Sequence, residues 1–100
     1  MSEYQVMRWR ELPSMVIARS GETQIKVALP ARFQEAIDEA AMRLGATGAD
    51  DYISGWVRDP WVEAIEEPDQ LAARITAELE ADFSEAKIAA FLDSLQKADD

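Results

Sequence analysis

The first 29 positions are rich in strand-forming residues and predict three β-strands, over residues 4–10, 15–19 and 24–29. Two segments with the composition of turns, residues 11–14 and 20–23, separate them. In the third strand Ile25, Val27 and Leu29 alternate with Gln24, Lys26 and Ala28, the period of a sheet with one buried face. We therefore expect a three-stranded antiparallel meander over residues 1–29.

Beyond residue 29 the apolar positions recur at helical spacing, which predicts about four helices. Residues 30–58 are expected to hold two of them. The first begins at Pro30, ends at Gly45 and has an apolar face made of Phe33, Ile37, Ala41 and Leu44. The second is predicted to be capped by Thr47, with Asp50 in its first turn, and to direct towards the core Tyr52, Ile53, Trp56 and Val57.

Two more helices are predicted over residues 67–97. One opens at Glu67-Pro68-Asp69 and carries Leu71, Ile75 and Leu79 in line. The other is capped by Ser84 and carries Ile88, Phe91, Leu92 and Leu95. Residues 61–65 have a mixed pattern that fits a strand, a helical turn or a tether across the surface. Together these elements predict one α+β domain over residues 1–100, a size that supports a hydrophobic core.

The composition excludes several kinds of site. The chain has no cysteine, so disulfides, thiolate nucleophiles and structural zinc sites with sulfur ligands are excluded. It also has no histidine, the commonest general base and ligand of catalytic metals. We expect a protein that is not an enzyme and that uses no cofactor or metal.

The charge distribution points to a soluble protein. The formal net charge is -10, and residues 61–100 hold eleven acidic and three basic side chains. Such a surface repels nucleic acid and anionic lipid. Because no apolar run has the length of a signal peptide or a membrane span, we expect a cytoplasmic protein.

Aromatic and arginine side chains suggest a contact surface for another protein. Tryptophan and arginine are enriched at interfaces. The predicted interaction patch is Arg8, Trp9, Arg10 and Trp61. Trp56, at helical spacing from Tyr52, is instead expected in the core.

Two alternatives use other residues of the predicted sheet. Arg8 and Arg10 share a strand face by alternation, and a neighbouring strand could bring Arg19 or Lys26 beside them, which would suit a small anionic ligand. The segment from Gln24 to Gly45 also resembles the start of ribbon-helix-helix DNA repressors. In that case Gln24 and Lys26 would read base edges from a ribbon in the major groove.

A second resemblance rests on residues 6–16, on residues 29–38 with 41–43, and on residues 47–52 with Trp56. Over about the first two thirds of its length the chain is similar to a small bacterial family described as virulence factor proteins. The resemblance implies no reaction, cofactor or catalytic residue. Relatives are encoded beside genes such as those of methylenetetrahydrofolate reductase and corrinoid methyltransferases, which implies an accessory protein with a partner enzyme in one-carbon metabolism. The Trp-containing hairpin before residue 24 also makes the repressor likeness local.

Overall fold

A computed structural model describes residues 2–45 and 48–98. It shows an α+β fold in which an antiparallel sheet packs against helices. The elements, in chain order, are β1 (Ser2–Trp9), β2 (Leu12–Ser20), β3 (Thr23–Ala28), α1 (Ala31–Arg43), α2 (Ala49–Ser54), β4 (Trp56–Arg58), β5 (Val62–Ala64), α3 (Pro68–Asp82) and α4 (Glu85–Ala98).

The sheet has five strands, so the prediction of three was wrong. β1, β2 and β3 form the expected meander, and the order across the sheet is β3-β2-β1-β4. β4 and β5 both pair with the free side of β1, β4 opposite Met7–Trp9 and β5 opposite Ser2–Tyr4. Each has three residues. A strand this short carries too few alternations to be recognised from its own sequence.

The first hairpin is tighter than its composition suggested. Only Arg10 and Glu11 lie between β1 and β2, and Arg10 takes a positive φ of 56°. Met7 lies opposite Met15 and Arg8 opposite Pro13, so Ser14 is an extra residue in β2. Such a bulge increases the local twist and accommodates a proline within a strand. For this reason residues 12–14 are part of a strand rather than a turn.

Helices α1, α3 and α4 confirm the helical spacing. The predicted apolar positions Phe33, Ile37, Leu71 and Ile75 are all buried. Gly45 has a φ of 71°, the left-handed conformation that commonly follows a helix. The amide of Lys87 donates to the Ser84 hydroxyl at 3.3 Å, as expected for an N-terminal cap.

The second predicted helix is wrong in its last part. α2 ends at Ser54, and Trp56 and Val57 belong to β4. Ile53 and Val57 were expected in the core but are 65% and 51% exposed. The predicted cap, Thr47, lies outside the described residues. Gly55 follows the last residue of the helix, and β1 has backbone groups that β2 does not pair. The chain therefore leaves the helix and pairs with these groups as β4.

All the main helix contacts lie on one face of the sheet. α3 packs against β2 and β3 and also contacts β1, α1 packs against β2, and α4 packs against α1. One core cluster joins them, and it includes Val6, Trp9, Val16, Phe33 and Leu71. Ile17 is 3% exposed but lies outside this cluster, because strand alternation directs it to the opposite face. No helix in the described part of the chain is long and apolar enough to cross a membrane.

Candidate functional site

Trp9 lies in the core rather than on an interaction surface. Its side chain is 0% exposed, and its indole N–H donates to the backbone carbonyl of Tyr52 at 2.7 Å. The rings of Trp9 and Tyr52 stack with centroids 5.8 Å apart, and Tyr52 in turn meets the edge of Trp56. Buried indoles usually have such a hydrogen-bond partner. Trp9 therefore cannot form part of an exposed patch.

Gly55 makes this packing possible. A Cβ atom at position 55 would lie 2.6 Å from two atoms of the Trp9 indole, closer than real contacts allow. The amide of Arg10 also donates to the Gly55 carbonyl at 2.7 Å, which links the first hairpin to the start of β4. We call Trp9, Tyr52 and Gly55 the tryptophan corner.

Arg8 and Trp61 lie on opposite faces of the sheet. Arg8 Nε is 2.8 Å from Asp59 Oδ2, on the face that carries the helices. On the other face, the guanidinium carbon of Arg19 lies 3.7 Å from the centroid of the Trp61 ring. Arg19 also forms an ion pair with Glu3 on that face. The structure therefore does not assemble the predicted patch of Arg8, Trp9, Arg10 and Trp61 on one surface.

The predicted anion-binding cluster of Arg8, Arg10, Arg19 and Lys26 is also divided between the two faces of the sheet. Arg10 lies in the turn after β1 and does not share a strand face with Arg8. Arg19 lines a polar hollow of about 420 Å³ whose wall also contains the carboxylates of Glu3 and Glu63. Two carboxylates beside one guanidinium make a poor place for an anion.

The residues of the alternative DNA-reading strand are accessible. Gln24 and Lys26 are exposed on β3, opposite Arg19 and Ile17 of β2 respectively. They lie on the face of the sheet away from the helices, because residues directly opposite each other in an antiparallel pair share a face. Ala28 lies on the same face and is also exposed.

A groove of about 240 Å³ lies on the helix-bearing face, between α3 and the side of the sheet where β4 ends and β5 begins. We call it the α3–β5 groove. It is lined by Tyr4, Val6, Arg8, Asp59, Pro60, Val62, Ile75, Glu78, Leu79 and Asp82. Three parts of the fold position these side chains: β1, the interrupted edge from Asp59 to Val62, and one side of α3. Convergent apolar and polar groups in a concave site are typical of a binding surface.

The interruption between β4 and β5 is itself fixed by hydrogen bonds. The Asp59 amide donates to the Val6 carbonyl at 3.0 Å, and the Gln5 side chain donates to the Asp59 carbonyl at 3.0 Å. Pro60 has no amide hydrogen to continue the ladder. The Asp59 carboxylate is thus held beside Arg8 at the floor of the groove.

Acidic side chains outnumber basic ones along the groove, where Asp59, Glu78 and Asp82 accompany Arg8. Arg74 donates to Glu66 and, at 2.8 Å, to Glu78, so one cation serves two carboxylates. The hydrogen bond from Arg74 lowers the pKa of Glu66, and these carboxylates, Glu66 first, raise the pKa of Arg74. Asp82, one helical turn beyond Glu78, has no ion-pair partner among the described residues.

Exposed apolar side chains continue the groove along the edge of the sheet. Val57 lies opposite Arg8 and Val62 opposite Tyr4, so both share the face of the groove. They are 51% and 45% exposed, and Ile65, just past β5, is 89% exposed. We call Val57, Val62 and Ile65 the apolar edge. Sequence reasoning missed it, because Val57 was assigned to a helix and residues 61–65 to no element.

Fold and groove together define a small α+β protein with helices on one face of an antiparallel sheet and an acidic, partly apolar groove beside them. A family model described as "Virulence factor" matches residues 7–92, and the chain belongs to that family. The match extends past the first two thirds of the chain, through α3 and into α4, further than the resemblance in the sequence suggested. Searches of curated proteins and of solved structures found no match.

Proposed function

We propose that this protein is a non-enzymatic accessory protein that binds another protein through the side of the sheet formed by β4 and β5. The apolar edge carries this proposal, since Val57 and Val62 are about half exposed although they lie on the same face as the core. An uncovered apolar surface next to a groove is typical of a site for a partner. The lack of histidine and cysteine in the sequence supports a role in binding rather than catalysis.

The first partner to test is an enzyme of one-carbon metabolism. The family resemblance implies neighbouring genes for methylenetetrahydrofolate reductase and corrinoid methyltransferases, and neighbouring genes commonly encode proteins that act together. The tagged chain would be co-expressed with each enzyme from its own organism. Co-elution would then be followed by size-exclusion chromatography with light scattering.

We expect one of these enzymes to elute with the chain as a complex of defined mass. A Val57→Asp/Val62→Asp variant should lose the complex, because it places charges where apolar surface would be buried. Met42→Asp is the matched control, since Met42 is 67% exposed on α1 and lies outside the groove. Separate elution of both enzymes at micromolar concentration would reject one-carbon enzymes as the partners.

DNA binding is the second candidate, favoured by the exposure of Gln24 and Lys26 on one face of β3. A net charge of -10 acts against it, since phosphate contacts supply most of the binding energy. We expect no binding to duplex DNA at low salt. Binding by the native chain, with a salt slope that Lys26→Ala lowers by about one, would instead establish the DNA-binding role.

A further inference from the structure

The helix layer over the sheet is incomplete beside α3. Neighbouring strands lie roughly 4.8 Å apart, whereas packed helices lie about 8–10 Å apart, so one helix covers about two strands. α3 packs mainly against β2 and β3. Among the described residues, no helix packs extensively against β5. The α3–β5 groove marks the place where the next helix of the layer would lie.

The walls of the groove combine apolar and charged side chains, as binding of an amphipathic helix requires. Its accessible apolar surface comes from Tyr4 and Val62 of the sheet, with the largely buried Ile75 and Leu79 of α3 at its base. Ile75 and Leu79 are four residues apart and therefore lie one above the other on α3. A guest helix could place its own apolar stripe along this wall and keep its polar face in water.

The charges around the groove determine which charge the polar face of the guest helix should carry. Among the described residues that line the groove, the carboxylates of Asp59, Glu78 and Asp82 outnumber the one guanidinium, that of Arg8. Glu78 and Asp82 lie on successive turns of α3, facing the groove. Lysine or arginine on the guest helix would meet these carboxylates, whereas an acidic helix would be repelled. A second copy of this chain, also at -10, is disfavoured for the same reason.

We infer that the α3–β5 groove binds a basic amphipathic helix of a partner protein, which completes the helix layer over β1 and β5. This inference rests on the proposed role as an accessory protein and specifies the chemistry of its partner. The guest's apolar residues contact Tyr4 and Val62, and its basic residues lie near Glu78 and Asp82.

The test uses two synthetic 18-residue peptides and the full isotope-labelled chain. In both peptides leucine recurs at helical spacing; the remaining positions are lysine in one and glutamate in the other. Nuclear magnetic resonance titration would locate binding by the change in amide shifts. We expect the lysine peptide to perturb residues of the groove most strongly, the glutamate peptide to cause no change, and added salt to weaken binding.

Two variants separate the groove from general attraction to an acidic protein. Val62→Ser should weaken binding of the lysine peptide by about tenfold or more, because it removes buried apolar contact at the groove without adding a charge. Asp82→Lys should also weaken it, whereas Met42→Ser should leave the affinity unchanged. Equal binding by the glutamate peptide, shifts centred on β3 or α4, or an unchanged affinity in Val62→Ser would each overturn the inference.

The two proposals fail in different ways. If a one-carbon enzyme co-elutes with the chain and Val62→Ser does not reduce the complex, the accessory role stands and the groove inference is wrong. If the lysine peptide binds in the groove but neither enzyme co-elutes, the groove inference stands and the choice of partner is wrong.

Discussion

Trp9 and Trp61 show how differently the same side chain can be used within one small sheet. Trp9 is fully buried, donates a hydrogen bond to Tyr52 and packs directly on Gly55. Trp61 is half-buried on the opposite face, under the guanidinium of Arg19. The first indole joins the hairpin, α2 and β4, whereas the second covers only a local part of the surface. The predicted patch treated both as contact residues because their sequence surroundings do not reveal this difference.

The largest effect is expected for Trp9→Ala. Removing a fully buried indole leaves a cavity and deletes its hydrogen bond to the Tyr52 carbonyl, and changes of this kind cost about 3–5 kcal/mol in unfolding free energy. Urea unfolding followed by circular dichroism would measure the loss. A cost as small as that of Trp61→Ala would show that the tryptophan corner does not stabilise the fold more than Trp61 does.

Gly55→Ala should have a smaller but clear effect. The added methyl group would collide with the Trp9 ring, and overpacking of this kind costs about 1–3 kcal/mol. A double-mutant cycle with Trp9→Phe provides the control, because the smaller ring leaves room for the methyl group. If Gly55→Ala lowers the unfolding free energy equally in the native chain and in Trp9→Phe, the close contact between Gly55 and the indole is not the cause of the loss.

Trp61→Ala should lower stability by only about 1 kcal/mol. It loses a cation–π contact on a partly exposed surface and a modest apolar area. Arg19→Lys weakens the same stacking while it keeps the charge, and it should reproduce part of the loss. The same urea titrations would detect both changes, and a loss as large as that of Trp9→Ala would remove the distinction between the two indoles.

The smallest effect is expected for the ion pair between Glu66 and Arg74. Exposure to solvent limits its contribution to stability, as it does for Trp61. Glu66 is paired with Arg74, which lowers the pKa of Glu66 from its usual 4.5. This pair therefore stabilises the fold above pH 4.5 and stops doing so as the pH falls through the lowered pKa. Thermal melts should show Glu66→Gln slightly less stable than the native chain at pH 7 and equally stable once Glu66 is protonated.

Glu35→Gln controls for the loss of one negative charge from an acidic protein, because Glu35 is exposed on α1. A difference between Glu66→Gln and the native chain that persists unchanged in strong acid would contradict the assigned pKa shift.

The sequence predicted best the elements whose pattern repeats several times. Phe33 and Ile37 on α1, or Leu71 and Ile75 on α3, mark a buried helix face, because helical spacing recurs over three or four turns. The open face of β3 was also predicted correctly from its alternation of side chains. The meander and the ends of α1 and α3 followed from the same rules.

The groove was not predictable because its parts are distant in sequence and depend on pairing. Val57 and Val62 acquire their common face only through their partners Arg8 and Tyr4, about 50 residues earlier. The burial of Trp9 was hidden for a related reason, since it depends on the close approach of Gly55 and on the carbonyl of Tyr52, 43 residues later. Neither contact leaves a periodic pattern in the chain.

The position of β1 has a consequence for synthesis of the protein. β1 leaves the ribosome before the other strands of this sheet, yet its second side is paired only by residues that follow α2. The β1–β2 hairpin can close early through its two-residue turn, whereas contacts of long sequence separation form late. Until residue 64 has been made, the nascent chain carries an unpaired strand edge, the feature that drives association between chains. A message truncated before β4 would therefore yield an aggregation-prone fragment rather than a smaller version of the same protein.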